Sequence, residues 1–197
     1  EAGIKVFRNT LDDLLAQAAG YAAAQVTPLQ AAATQVDAAV GQLMSELQSI
    51  TGFIDDPAIA GPVANLPGLV TAARGDVNAL INAANMQVNG AHLPAGLRQS
   101  VLGFAQQLDD FLADLDTLAV LVSQGQALYD ALHQIVGEPQ NLASLFADPT
   151  ELQARIDALV AALGPFRTTL AGFALLSGAP RKIVLDALAA LEDILAL

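Results

Sequence analysis

A chain of 197 residues with 54% hydrophobic side chains has ample material for one large core or two smaller ones. Its 20 acidic residues against 8 basic ones, a formal net charge of −12, leave too few cations to track a phosphate backbone. Nucleic acid is thereby excluded as a partner class, adsorption to an anionic membrane surface is disfavoured, and the lack of any Cys removes disulfide and thiolate chemistry.

The apolar content is dominated by Ala and Leu, with 5% aromatic residues and no Trp, a vocabulary of closely packed helices. No alternating run of β-branched and aromatic residues is long enough for a strand. The chain therefore reads as all-α: an elongated bundle of five to six long helices with heptad patterning. Leu14 to Val36 is uncharged, but Gln17, Gln25, Thr27, Pro28 and Gln30 interrupt it, and it lacks the Leu, Ile and Phe density of a spanning helix. The chain opens at Glu1 with neither the basic nor the apolar region of a signal peptide, and the segment is expected to be part of a larger protein.

In chain order, Phe7, Leu11, Leu14, Ala18 and Tyr21 form the stripe of a first helix after Ile4. Thr27-Pro28 predicts a kink in one long helix or a very tight junction, because Pro removes a donor and no Gly, Asn or Asp stands there to reverse the chain. The stripe resumes as Leu29, Ala33, Val36, Val40, Leu43, Leu47, Ile50 and Ile54. Ala22 to Ala24, Ala31 to Ala33, Ala38 and Ala39 broaden the apolar surface of this helix, so it should lie centrally or pair with another chain.

Asp55-Asp56-Pro57 predicts a helix end, and Gly61, Pro62 and Pro67 predict a loop after it. Leu66, Val70, Ala73, Val77, Leu80 and Ala84 mark the next helix, stopped at Asn89-Gly90. Pro94 reopens the chain. From Leu97, the stripe Val101, Phe104, Leu108, Phe111, Leu115, Leu118, Val122, Gly125, Tyr129, Leu132 and Val136 predicts a helix of about 40 residues, about 60 Å long. Gly137-Glu138-Pro139 ends it, and a short apolar piece, Leu142 to Phe146, leads to a new helix at Asp148-Pro149. That helix carries Leu152, Ile156, Leu159, Leu163, Phe166, Leu170 and Phe173 across Gly164-Pro165 without losing phase. After Gly178-Ala179-Pro180, Val184, Ala187, Leu191 and Ile194 should face the core of a terminal helix.

One segment recurs. Val101 to Leu112, VLGFAQQLDDFL, matches Ile4 to Leu15, IKVFRNTLDDLL, and Val184 to Leu195, VLDALAALEDIL, at five of twelve positions each. The acidic pairs lie 97 and then 83 residues apart, so the period is irregular. The division this implies is a helical unit at 1–93, a second at 94–179 and a terminal helix at 180–197 that begins a third unit or closes the bundle. A single bundle of unrelated segments shows the same heptads.

Few residues offer chemistry. His92 is read as a turn residue, and Asp130 with His133 as an exposed polar pair, since one Asp-x-x-His is only an imperfect half of a di-metal pattern. Asp109, Asp110, Asp114 and Asp116 are expected on a solvated helix face or, second, at a docking surface for a basic partner. Tyr21 and Tyr129 fall on apolar stripes and should pack in the core. No phosphate loop or nucleophile elbow is present. The expectation is therefore no enzyme, no catalytic, cofactor-binding or metal site and no cofactor. The preferred function is a structural or interaction module, a spacer or scaffold that meets a protein partner or itself through apolar helix faces. An amphiphile- or lipid-surface-binding bundle, including a membrane-inserting toxin, comes second, and a metal-binding bundle third.

Overall fold

The structure, a computed structural model, describes residues 2–52, 60–88, 91–136, 148–173 and 178–195, with backbone alone at 2–3, 25, 50–52, 60–64, 180 and 192–195. All its regular elements are helices: α1 (Ala2–Ala18), α2 (Ala23–Gly52), α3 (Ala60–Asn85), α4 (Ala95–Val136), α5 (Pro149–Gly172) and α6 (Ala179–Leu195). Outside them, Val88 and Ala91 form an isolated antiparallel bridge with N···O distances of 2.9 and 3.1 Å. The chain forms two compact units, residues 1–116 and 117–197, and the dividing point falls within α4. The predicted division at 93/94 and 179/180 concerns repetition in the sequence, whereas these units are defined by packing.

In the first unit, α1, α2, α3 and the first part of α4 alternate in direction. Arg8 near the start of α1 pairs with Asp37 in α2, whereas Leu14 and Leu15 further along meet Leu29 and Ala33, so the two helices run antiparallel. Arg74 of α3 reaches Asp109 and Asp116 of α4, while Leu80 lies at the level of Val101, which makes that pair antiparallel too. The burial pattern follows the sequence closely. Val26, Leu29, Ala33, Val36, Val40 and Leu43 are buried along α2, and Leu66, Val70, Ala73, Val77, Leu80 and Ala84 along α3. Alternating steps of three and four keep each row on one face of its helix. Each fully covered Leu contributes about 1.5–3 kcal/mol by leaving water, and the four helices converge on a void of only about 10 Å³.

Two boundaries differ from expectation. The junction between α1 and α2 lies at residues 19–22, next to Gly20, and Pro28 is inside α2. Gly is the weakest helix former after Pro, so the chain breaks there. Pro28 can stay helical because the carbonyl it leaves without a donor belongs to the exposed Ala24, where water is available. The neighbouring Thr27 hydroxyl donates to the Ala23 carbonyl at 2.8 Å. Likewise α3 starts at Ala60, so Gly61 and Pro62 occupy its first turn and Pro67 its interior, where a loop was expected. A first-turn Pro sacrifices an N–H that has no helical partner in any case. The predicted ends at Asp55-Asp56-Pro57, Asn89-Gly90 and Gly137-Glu138-Pro139, and the apolar piece 142–146, lie outside the described residues.

In the second unit, Leu121, Leu170 and Phe173 form a cluster against which Leu118, Phe166, Leu185 and Leu188 pack. The end of α4 runs antiparallel to α5: Phe166 lies 3.4 Å from where a Cβ on Gly125 would stand, and Arg155 donates to the Gln134 carbonyl. Gly125, the weak member of the apolar stripe, thus admits a ring. Asp148 caps α5, its carboxylate accepting from the Thr150 and Glu151 N–H groups at 3.0 and 3.3 Å, with Pro149 in the first turn. Asp148→Ala is expected to lower the stability of this unit by about 1 kcal/mol, seen as a lower urea midpoint at unchanged slope, with Asp148→Ser retaining most of it. α5 continues through Gly164-Pro165 as predicted. Gly178, at φ 71° in the left-handed region that side chains disfavour, turns the chain into α6.

The terminal helix is rotated from its expected register. Leu185 and Leu188 pack inward, while Val184 is 39% exposed and Ala187 is also exposed. With apolar residues at almost every position from Ile183 to Leu191, two adjacent stripes compete, and neighbours rather than periodicity choose between them.

Candidate functional site

The polar residues singled out in the sequence are distributed rather than assembled. In the first unit, Arg74 places its Nε 3.3 Å from Asp109 Oδ1 and its Nη1 2.5 Å from Asp116 Oδ2. The two acids are seven residues apart, two turns along one helix face, and a single guanidinium fork spans them. Asp110 accepts from the Gln106 side chain at 2.9 Å. Part of the acidic cluster therefore serves as an internal tie between α3 and α4, and Asp110 stays on the exposed side.

A second tie joins α1 to α2, where Arg8 Nε lies 2.6 Å from Asp37 Oδ1 and Nη2 lies 3.0 Å from Oδ2. The hydrogen bonds that Arg8 donates to Asp37, and the negative charges of Asp37 and Asp12, push the pKa of the guanidinium above its ordinary value. It is charged at any pH at which the protein is folded.

His92 shares a 3.0 Å contact between its Nε2 and the Gln87 side chain, next to the Val88–Ala91 bridge. His133 stacks on Tyr129 with centroids 5.8 Å apart and planes at 9°, while Asp130 accepts from Gln126 at 2.8 Å. Asp130 and His133 are both exposed, and the contacts described join each to a different neighbour. Among the described residues no three His, Asp or Glu side chains converge as metal ligands, and no buried residue is polar or charged.

Tyr21 and Tyr129 correct the sequence reading, being 43% and 51% exposed. For Tyr129 the cause is the mismatch between heptad and helix. A straight helix drifts about 20° per heptad, so a stripe counted from Val101 has left the packed side of α4 by Tyr129, and Leu132 and Val136 are exposed with it. Tyr21 lies beyond the end of α1, where the helical stripe no longer applies.

What the sequence did not reveal is where apolar surface is left open. Most of the large exposed hydrophobic side chains among the described residues belong to the second unit, including Val120, Val160, Ile183 and Val184. Ile183 reaches 68% exposure. Among the described residues, no helix is long and apolar enough to cross a membrane. The void of about 10 Å³ lined by Leu11, Leu14, Leu29, Leu80 and Val101 is smaller than any organic ligand. No protein family, curated protein or solved structure matches the chain.

Proposed function

We propose that this chain is a non-catalytic structural or interaction module, a helical spacer or scaffold that works by presenting helix faces. The observation that carries this reading is the outward placement of Val120, Val160, Ile183 and Val184 on the second unit, while the first unit closes its own core. Exposed apolar side chains that gather into a patch are the usual mark of a contact surface. The acidic side chains support the same reading, because Asp37, Asp109 and Asp116 are engaged in tying helices together.

The same exposed residues favour a second reading, in which the second unit lies on a lipid or other amphiphile surface. Flotation with neutral phosphatidylcholine vesicles, with helicity followed by circular dichroism, separates the two. The module is expected to stay with the soluble fraction and keep its spectrum. Co-flotation with a changed spectrum would replace the first reading with the second.

A further inference from the structure

The recurring twelve-residue segment packs against itself within the first unit. Phe7 and Phe104 hold the same position in copies one and two, and their rings stand 6.1 Å apart at 74°. Phe111 approaches Phe7 at 5.4 Å. Further along α1, Leu11, Leu14 and Leu15 share a void with Val101, so the two copies lie antiparallel along each other's length. Equivalent residues meeting across antiparallel copies is the geometry of a self-complementary, two-fold contact. The pairing face includes Ile4 and Val101, 1% and 0% exposed, whereas Arg8 of α1 is on the exposed side.

Copy three, in α6, is used the other way round. The second unit holds α6 through Leu185 and Leu188, which occupy the positions of Lys5 and Arg8 in copy one. Val184, the counterpart of Ile4 and Val101, is 39% exposed, and Ala187, the counterpart of the two Phe residues, is also exposed. The first part of that face, at Val184 and Ala187, is therefore open in copy three, while Leu191, the counterpart of Leu11 and Leu108, is half-buried.

We propose that this face of α6 is covered by the same face of α6 in a second copy of this chain, antiparallel about a two-fold axis. The proposal rests on the interaction-module reading and names its partner. Charge agrees with the direction: Lys182, exposed and paired within its own helix with Asp186, stands near the start of α6, and the sequence puts Glu192 and Asp193 near its end, so antiparallel helices set opposite charges against each other. Ala187, standing where copies one and two carry Phe, lets the backbones come close.

The test uses the whole chain. Sedimentation equilibrium over a series reaching about 1 mM, the weak end of specific affinities, is expected to show a monomer–dimer equilibrium. Val184→Glu should abolish the dimer with an unchanged circular dichroism spectrum. Because the chain has no Cys, Ala187→Cys provides a unique thiol, expected to give a disulfide-linked dimer on mild oxidation, while Val120→Cys on α4 does not. A monomer throughout the series, a dimer that survives Val184→Glu, or faster cross-linking through Val120→Cys would overturn the proposal. Each of those results leaves the module reading standing, since that reading fails on vesicle binding with rearrangement.

Discussion

Leu80→Ala is expected to destabilise the first unit by about 4 kcal/mol, near the upper end of the range for buried Leu truncations. Leu80 is 1% exposed and lies where α1, α2, α3 and α4 meet, beside Leu11, Leu14, Leu29 and Val101. Truncation loses the transfer free energy of the removed carbons, and the space they leave joins the void of about 10 Å³ already there. Collapse is hindered because helices on all sides are tied, with Arg8 to Asp37 on one side and Arg74 to Asp109 and Asp116 on another. Urea unfolding followed by circular dichroism measures the loss, and Leu80→Met, which conserves volume, should recover most of it. A loss below about 1 kcal/mol would mean that this four-helix junction is not a packed core.

Phe173→Ala should destabilise the second unit by about 3–5 kcal/mol and release α6 first. Phe173 ends α5, is 7% exposed, and forms with Leu121 and Leu170 the cluster that receives Leu185 and Leu188. The apolar anchorage described for α6 rests on that cluster, and a polar anchor joins it: Arg181 donates at 3.3 and 3.4 Å to the Ala171 and Phe173 carbonyls. The accepting carbonyls are backbone atoms that the substitution leaves in place, so what it removes directly is the apolar contact. Hydrogen exchange provides the readout, with α6 amides expected to lose protection before those of α5 and with α1 to α3 unaffected. Equal loss across all helices would show that the two compact units unfold together.

Sequence patterning reached furthest in α2 and α3. In α2 and α3 every predicted stripe position for which burial is described is buried, apart from Leu47, which is intermediate. In α4 and α6, by contrast, apolar residues are so frequent that more than one stripe fits, and both Tyr129 and Val184 were assigned to the core but stand in water. The candidate site suffered from the same ambiguity. Its apolar residues look like core in the sequence, because periodicity records that a face is hydrophobic and does not record whether anything covers it.

The sequence by itself determined the all-helical class, the placement of α4 and α5, and the start of α5 at Asp148-Pro149, since these follow from local propensity, capping and period. Tertiary structure decided the rest: that Pro28 and Pro67 remain inside helices, that Asp109 and Asp116 share one arginine, and that α6 turns Leu185 and Leu188 inward. The physical reason is one of scale. A proline's cost or a residue's burial depends on the water, carbonyl or side chain that another segment places beside it, and that segment is far away along the chain.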